Sequence, residues 1–306
     1  MVSKIKYYKN FDIQKKHKNS IILIGNFDGV HLGHQKVLRQ AKIKSKKERL
    51  PFGLITFEPM PVMFFNPKIK NHRINQLSQK KNQLEKLKLD FLVIIKFNKK
   101  FSLLSAEYFI KKIIKDKIQS RYIFVSKNFR FGKNRLGNIS TLKKNEKKFS
   151  YKTIVTTPYK SKNKLISSTL IRKNISKGKI NVASKLLGRK WSIIGKVIKG
   201  KKRGRKIGFP TCNIDLKNYI VPKLGVYSVI VETKNFKKKG IANIGYRPTF
   251  NGSKLLLEVN IFGINLNLYK KTIKVIFIKF IRPEKKFKGF KELKQQIKKD
   301  IAIAKK

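Results

Sequence analysis

Residues 21–34 read IILIGNFDGVHLGH, in which an apolar segment runs into a glycine-rich turn and then into two histidines three residues apart. Ile21 to Ile24 suit a strand that is buried on both faces, as in a parallel sheet. Gly25, Gly29 and Gly33 let the backbone bend sharply and approach a ligand closely. Because ligands of open α/β sheets bind beyond the carboxyl ends of the strands, this stretch predicts an α/β domain with a nucleotide site at the turn.

The turn holds two of the four histidines of the chain, His31 and His34. If a helix begins near His31, both imidazoles lie on one helical face and can point at a phosphate beside the amino end of the helix. No Gly-Lys-Ser/Thr follows as in a P-loop, and the spacing is not that of the HExxH zinc proteases. No cysteine or third histidine lies nearby in the sequence, so the turn has too few ligands for a typical metal site. The alternative is a capped turn whose histidines face solvent.

Length and composition predict a globular protein of two domains. The chain has 306 residues, of which 41% are hydrophobic, enough for more than one core. It has no apolar run of membrane-spanning length, and its first residues, MVSKIKYYKN, lack the apolar core of a signal peptide. The single cysteine, Cys212, excludes an internal disulfide and fits a reducing compartment. We therefore expect a cytoplasmic protein with no membrane partner.

The chain is strongly basic, with 76 Lys and Arg against 15 Asp and Glu and a formal net charge of +61. Such a charge favours a polyanionic partner such as nucleic acid. The lysines are nevertheless scattered through every segment together with many Ile, Asn and Phe, whose codons are also rich in A and T. A nucleotide bias of the genome explains this pattern better than a selected binding surface does. We expect non-specific polyanion binding at low salt and no specific nucleic-acid partner.

The amino-terminal half alternates apolar runs with segments of helical spacing. This alternation favours a Rossmann-like, mostly parallel sheet covered by helices on both sides. The strand-like runs after the first are 52–57, 91–97, 121–125 and 153–157, and the helical segments include 35–47, 76–88 and 105–118.

The pattern changes after Leu187, where short strand-like runs are followed by a single helical segment. Such a succession favours a small β-barrel with a terminal helix. We place the domains at residues 1–187 and 188–306. The runs of the second domain are 225–232, 240–244, 255–262 and 272–280, and the helix covers about 287–304.

Two segments of the second half carry candidate functional groups. GKKRGRKIGFPTCN, residues 200–213, supplies glycines, among them Gly208, and then Thr211 and Asn213 at alternate positions. A hydroxyl and an amide oxygen side by side can ligate Mg²⁺ and help to hold nucleotide phosphates. In LLLEVNIF, Glu258 is one of few acids, and on an inner barrel face it would need a function or a partner. The alternative is an outward-facing, solvated glutamate.

GNFDGVHLGH resembles the HxGH nucleotidyltransferase signature in the form found in the bacterial family of bifunctional riboflavin kinases and FMN adenylyltransferases (FAD synthetases). Further segments are similar to the same family and follow in its order. They are TFEPMP at 56–61, SKNFRFGKNRLG at 126–137, ISSTLIR at 166–172, GKKRGRKIGFPTCN at 200–213, GVYSV from 225, NIGYRPTF at 243–250 and RPEKKF from 282.

For the first domain the resemblance implies transfer of AMP from ATP to FMN, giving FAD and pyrophosphate. His31 and His34 would stabilise the phosphates, and the ISSTLIR segment would add hydroxyls and a guanidinium that holds phosphate oxygens at two points. Taken alone, Ser-Ser-Thr is more often a plain helix cap. The implied nucleotide contacts are Gly25, Asn26, Phe27, Gly33, Ser168, Thr169 and Arg172, and the implied flavin contacts are Asn128, Phe129, Arg130 and Phe131. The family usually has glycine where this chain has Ser126.

For the second domain the resemblance implies phosphorylation of riboflavin to FMN with ATP and Mg²⁺. Glu258 would be the general base, Gly208 would contact phosphate, and Thr211 and Asn213 would hold the metal. Cys212 occupies a variable position and should pack rather than act as a nucleophile. After Glu258 the chain departs from the family's acidic, glycine-containing run and has Gly263, Asn267 and Lys270.

Two rival functions remain on sequence alone. One is a nucleotidyltransferase of another substrate class that shares HxGH, such as a pantetheine-phosphate or cytidylyl enzyme. The other is a nucleic-acid-binding protein, which only the charge favours. The barrel segment GFPTCN and the NFRFG turn argue against the first rival. The oligomeric state is open.

Overall fold

The chain forms two compact units. In the computed structural model, residues 5–161, 164–200, 203–249, 252–264 and 266–306 are described; Lys201, Lys202 and Phe250 of the quoted motifs lie outside them. The first unit comprises Met1–Ile69 and Lys80–Ser167, and the second comprises Lys70–Gln79 and Ser168–Lys306.

The first unit is built on a six-stranded sheet whose order is β1-β4-β3-β2-β5-β6. Every neighbouring pair in it is parallel, which confirms the predicted parallel α/β architecture. The strands are β1 (Lys6–Tyr8), β2 (Ile21–Ile24), β3 (Phe52–Glu58), β4 (Phe91–Lys96), β5 (Tyr122–Ser126) and β6 (Lys152–Thr156).

The apolar run at the start of the quoted stretch is explained by its place in the middle of this sheet. All four residues of β2 are buried. Ile22 and Ile24 belong to the hydrophobic cluster on one side of the sheet, whereas Ile21 and Leu23 belong to the cluster on the other side. A strand that is covered on both faces has no position for a polar side chain.

Helices connect the strands of the first unit, as their spacing predicts. The segment predicted as a helix over 105–118 is a short α-helix that continues as a π-helix over Phe109–Ile118. That short α-helix is α5 (Ala106–Tyr108), and the other α-helices are α1 (Leu32–Glu48), α2 (Pro61–Phe65), α3 (Leu77–Glu85), α4 (Lys99–Ser102), α6 (Ile139–Lys144) and α7 (Glu146–Phe149). β7 (Lys160–Ser161) pairs with β8 (Lys164–Leu165).

The second unit is a closed six-stranded barrel in the order β10-β13-β12-β11-β14-β9, whose neighbouring strands pair antiparallel. This confirms the predicted barrel with a terminal helix. Its elements are α8 (Ser168–Ser176), α9 (Ile180–Leu187), β9 (Ser192–Ile198), α10 (Arg203–Lys206), β10 (Cys212–Asp215), β11 (Gly225–Glu232), β12 (Lys237–Thr249), β13 (Gly252–Ile261), β14 (Thr272–Arg282) and α11 (Phe290–Lys305).

Alternation along β13 separates the barrel core from its outer face. Leu257 and Val259 are fully buried in the hydrophobic cluster that the barrel strands share. Glu258 lies between them and therefore on the opposite, outer face. This overturns the inward-facing placement considered from the sequence, because the inner positions of β13 are filled by aliphatic side chains.

One segment from the amino-terminal half packs with the barrel. The indole Nε1 of Trp191 donates to the Ile74 carbonyl at 2.9 Å, and the Tyr219 hydroxyl donates to Gln79 Oε1 at 2.6 Å. Residues 70–79 thus complete the second unit, although their place in the sequence predicted otherwise. Among the helices of the described chain, none combines the length and the apolar character needed to cross a membrane.

Candidate active sites

The turn between β2 and α1 has an unusual backbone. Phe27, Gly29 and Val30 all have positive φ angles, of 47°, 82° and 39°. Such a conformation is strained for any side chain other than glycine, and most of all for a β-branched one such as Val30. Strained backbone of this kind concentrates at functional sites, where the surrounding structure imposes it.

The two histidines meet at the amino end of α1. His31 is the N-cap of the helix, and its Nδ1 accepts a hydrogen bond from the backbone N–H of His34 at 3.3 Å. The two rings stack with their centroids 3.6 Å apart. Because Nδ1 of His31 accepts, a neutral ring carries its proton on Nε2. The predicted neighbourhood of the two imidazoles at a helix amino end is confirmed, and His31 is buried rather than solvated.

A buried lysine anchors the same turn. Lys80 is only 2% exposed, and its Nζ donates to the Asn26 carbonyl at 2.9 Å and to the Thr56 hydroxyl at 3.1 Å. The Thr56 hydroxyl in turn donates to the same carbonyl at 3.2 Å. Lys80 therefore ties the ends of β2 and β3 together directly before the strained turn. Because the sequence contains so many lysines, Lys80 could have been identified from it only by its position on the apolar side of α3.

The predicted flavin-binding segment follows β5. Asn128 and Arg130 are exposed, whereas Phe131 is buried and its ring stacks on Phe129 with centroids 5.4 Å apart. Backbone hydrogen bonds in both directions between Phe131 and Gly137 close this loop. Ser126, which replaces the family's glycine, ends β5 without a positive φ, so the serine fits its backbone.

An aromatic cluster, to which the sequence analysis assigns no role, lies at the carboxyl ends of β3 and β4. Phe65 is 66% exposed, and its ring contacts those of Phe64 and Phe97 at centroid distances of 5.2 and 5.6 Å. Phe101 joins Phe97 at 5.6 Å. The cluster presents an open apolar surface at the edge of the sheet where such folds bind ligands.

The ISSTLIR segment begins beside the histidine turn. The carbonyl oxygen of Ile166 lies 3.5 Å from the place where a side chain on Gly33 would start, so the turn and this segment are in contact. The helix α8 then begins at Ser168, which places Ser168 and Thr169 in its first turn. Arg172 is half-buried and its Nε donates to the His72 carbonyl at 2.8 Å. From Ser168 onward the segment belongs to the second unit.

Three polar residues form a row across the outer face of the barrel. Glu258 on β13 lies directly opposite Asn213 on β10 and Asn243 on β12. Directly opposite residues of antiparallel strands have Cα atoms about 5 Å apart and side chains on the same face. The structure thus brings the predicted base and one predicted metal ligand together.

Asn213 lies directly opposite Glu258, and Thr211 precedes Asn213 by two residues. Asn260 Nδ2 donates to the Pro210 carbonyl at 2.8 Å and so fixes the chain just before Thr211, which is exposed. A side chain on Gly200 would start 1.9 Å from Asn213 Nδ2, so the amide oxygen of Asn213 faces away from Gly200. Hydroxyl and amide oxygens suit Mg²⁺, which is usually completed by water and substrate phosphates. No cluster of three or more His, Cys, Asp or Glu side chains suited to a metal occurs in the described part of the chain.

The loop before Thr211 fits a close approach of a ligand. Gly208 has a φ of 87° and is exposed, and apart from its chain neighbours no described atom lies within 4 Å of the place where a side chain would start. Cys212, by contrast, packs against the barrel core. Burial raises the pKa of its thiol, so its thiolate is disfavoured and a packing role follows, as expected.

Glu258 is ion-paired rather than solvated. Arg247 donates from Nε and Nη2 to Oε2 of Glu258 at 3.0 and 2.7 Å, and from Nη1 to Oε1 of Glu284 at 3.0 Å. Burial acts to lower the pKa of Arg247, but Glu258 and then Glu284 outweigh it, so that this pKa is raised. Sequence reasoning gave Arg247 and Glu284 no role, although the scarcity of acids that singled out Glu258 applies equally to Glu284.

Comparisons with known proteins relate the two parts of the chain to two family models. A family model described as FAD synthetase matches residues 13–170, and one described as riboflavin kinase matches residues 187–306. A solved structure described as a macrolide-efflux protein from Streptococcus pneumoniae has the same fold, with a TM-score of 0.84, 30% identity and coverage of 98% of both chains.

Curated relatives match along nearly the whole length. A bifunctional riboflavin kinase/FMN adenylyltransferase of Buchnera aphidicola subsp. Schizaphis graminum is 46% identical over 300 residues, which cover 96% of both chains. The enzyme of the same name in Haemophilus influenzae is 39% identical, covering 93% of this chain and 92% of its own. That of Escherichia coli is 34% identical, with coverage of 95% and 93%. The chain belongs to the bifunctional riboflavin kinase/FMN adenylyltransferase family.

Proposed function

We propose that the chain makes FAD from riboflavin in two steps at two separate sites. It is a riboflavin kinase, which phosphorylates riboflavin with ATP to FMN, and an FMN adenylyltransferase, which joins FMN to AMP from ATP and releases pyrophosphate. The observation that carries the proposal is the full-length family match together with two motif sets on two different folds. We assign the adenylyltransferase to residues 1–187 and the kinase to 188–306.

In the adenylyl transfer, an oxygen of the FMN phosphate attacks the α-phosphorus of ATP, and the bond from that phosphorus to pyrophosphate breaks. The nucleophile is already an anion and needs no strong base. His31 donates from Nε2 to phosphate oxygens and His34 lies stacked beside it, so both stabilise the charge that moves to pyrophosphate. The amino end of α1 adds its dipole. The nucleotide contacts the backbone of the turn, at Gly25, Asn26, Phe27 and Gly33.

The remaining groups of this step position the two substrates. Ser168 and Thr169 offer hydroxyls and Arg172 a guanidinium for phosphate oxygens. Asn128 and Arg130 contact the flavin nucleotide from the loop after β5. Phe129 offers a ring face, supported from behind by the buried Phe131. The open aromatic cluster around Phe65 suits the apolar part of the flavin ring system.

In the kinase step, Glu258 takes the proton from the terminal ribityl hydroxyl. The oxygen of that hydroxyl attacks the γ-phosphorus of ATP, and ADP leaves. Both hydrogen bonds from Arg247 go to Oε2, so Oε1 is the oxygen that we assign to the hydroxyl. Thr211 and Asn213 would hold Mg²⁺, which when bound neutralises phosphate charge. Gly208 lets the loop backbone approach the phosphates. Alignment and charge stabilisation account for most of the catalysis.

The partners that this function requires are riboflavin, FMN and ATP. We propose that the protein acts in the cytoplasm, where these small molecules are made and used, and that it has no specific nucleic-acid partner.

Flavin turnover is the direct test. Purified full-length protein is incubated with riboflavin, ATP and Mg²⁺, and the flavins are separated by chromatography; FMN and then FAD are expected. If neither product formed, the proposed function would be wrong. Omitting Mg²⁺ in the presence of a chelator should stop FMN formation.

Two sets of variants test the separation of the sites. Glu258→Ala should stop FMN formation yet leave FAD formation from supplied FMN. Changing both His31 and His34 to Ala should abolish FAD formation and leave the kinase. A folded variant of either kind that lost both activities would show that the sites are not independent.

A further inference from the structure

Glu284 lies at the centre of a hydrogen-bonded set on the outer face of the barrel. Its Oε1 accepts from Arg247 Nη1 at 3.0 Å and from Asn243 Nδ2 at 3.2 Å. These two donors stand four residues apart on β12, on the same face of the strand. Both also lie next to Glu258: Arg247 is hydrogen-bonded to it and Asn243 is directly opposite it.

The backbone of β12 is shaped to admit this carboxylate. Gly245 lies between Asn243 and Arg247 on the same face, and a side chain there would start 2.0 Å from Glu284 Oε1 and 2.6 Å from Arg247 Nη1. No side chain can therefore occupy position 245 while Glu284 and Arg247 keep their places. The glycine gives Glu284 direct contact with the strand.

The set holds Arg247 on two sides. Less than a third of the Arg247 and Glu258 side chains is exposed, 29% in each case, so water screens this pair less than a surface pair. An arginine with one carboxylate partner can turn about its long side chain. Because Glu284 accepts from Nη1 while Glu258 accepts from Nε and Nη2, the plane of the guanidinium is fixed, and with it the direction of the Glu258 carboxylate.

Asn243 is oriented by the same carboxylate. A carboxylate only accepts, so the amide nitrogen of Asn243 must face Glu284 and its Oδ1 must face the other way. Oδ1 is buried and has no hydrogen-bond partner among the residues that the structure describes. An acceptor held in this way, in the row that contains Glu258 and Asn213, fits a hydroxyl donor of the substrate.

We infer that Glu284 is a positioning residue of the riboflavin kinase reaction, which acts through Arg247 to fix the Glu258 carboxylate against the substrate hydroxyl and also orients Asn243 beside it. The inference rests on the role proposed above for Glu258. We assign Glu284 no contact with the substrate or with the transferred phosphoryl group. Its effect is on how well the base is aligned, and small errors of alignment lower rates strongly.

The test is a double-variant cycle on the full-length protein, with kcat and KM measured for FMN formation. Glu284→Ala should lower kcat about 10-fold to 100-fold with a smaller change in KM for ATP, because alignment of the base is lost. Glu284→Gln keeps an acceptor oxygen in place and should recover most of that kcat. If Glu284 acts through Arg247, adding Glu284→Ala to Arg247→Met should lower kcat little further.

The controls separate the possible failures. FAD formation from supplied FMN should stay unchanged in all variants, which shows that the first unit is folded, and unchanged fluorescence of the buried Trp191 shows that the second unit is folded. Glu232→Ala removes a matched ion pair with Lys274 on the same barrel and should leave kcat unchanged. Wild-type protein that made no FMN would refute the proposed function, and an active Glu258→Gln variant would refute the role of Glu258. Wild-type kcat in Glu284→Ala, or additive losses in the cycle, would refute only the present inference.

Discussion

We expect His17 to make the first unit sensitive to acid. It is buried, its Nδ1 lies 2.7 Å from the Tyr8 hydroxyl, and its ring stacks on Phe91. Burial, and next the charge of Lys16, lower its pKa from the ordinary value of 6.5. The unfolded chain therefore binds this proton at a higher pH than the folded chain does. Stability is complete above about pH 6.5 and falls as the pH drops through the folded pKa.

His17→Gln should remove this acid sensitivity. The glutamine can still accept from Tyr8 but does not titrate, so its melting temperature should fall less between pH 7 and pH 5 than that of the wild type. Melting followed by far-UV circular dichroism across this range checks the difference. Parallel curves for the two proteins would show that His17 does not control the acid response.

At the scale of single residues, the sequence predicts which residues are candidates for the site better than it predicts which way their side chains face. His31 and His34 were identifiable from spacing, since three residues along a helix always bring side chains together. The face of Glu258 was not, because alternation on β13 is the same whichever side is inner. The pairing of Arg247 with two carboxylates depends on contacts of β12 with β13 and with the segment that follows β14, and such contacts leave no local pattern.

At the scale of elements, an ion pair joins the terminal helix α11 to the barrel. Arg282 at the end of β14 donates from Nε to both oxygens of Asp300, at 3.0 Å each, and from Nη2 at 2.7 Å. Asp300 is 2% exposed, and Gln296 also donates to it. Arg282→Met would leave a buried carboxylate without its cation, which costs roughly 3–5 kcal/mol.

Trp191 offers the measurement. It is the single tryptophan of the chain and is buried in the second unit, so its fluorescence during urea unfolding reports on that unit. Arg282→Met should lower the midpoint clearly. Replacing both partners, Arg282→Met with Asp300→Leu, should recover most of the loss, because no charge then stays buried. A double variant less stable than either single one would contradict this account.

The strands and helices were largely predictable because the sheet and the barrel impose different periods on their sequences. β2 is apolar throughout and β4 is apolar up to its last residue, Lys96, whereas β13 alternates. This contrast distinguishes a doubly covered sheet from a barrel wall. The π-helix at Phe109–Ile118 was not predictable beyond being helical, since the apolar spacing fits either form. The packing of residues 70–79 on the barrel depends on single hydrogen bonds, such as that of Trp191 with Ile74.

At the scale of the whole molecule, the chain combines two folds, and we propose that each carries one of the two reactions. In that proposal the histidine turn at the carboxyl edge of the parallel sheet serves the adenylyl transfer, and the outer wall of the closed barrel serves the kinase. His31 and His34 lie on one fold and Glu258 lies on the other, so substitutions of these residues should each affect one reaction. Single-site variants are therefore expected to separate FMN formation from FAD formation.

The net charge of +61 acts on the whole molecule rather than on one site. Like charges distributed over both units repel each other, and salt screens this repulsion. Raising the salt concentration from about 0.05 M to about 0.5 M should therefore raise the melting temperature and release bound RNA, because polyanion binding falls steeply with salt. Filter binding with two unrelated RNAs of equal length, alongside thermal melting in the same buffers, makes the comparison. If the charge is distributed over the protein without a selected binding surface, the two RNAs should bind with equal affinity, and both should be released at high salt. A preference for one RNA that persisted at high salt would instead require a built nucleic-acid site, since charge alone does not distinguish sequences.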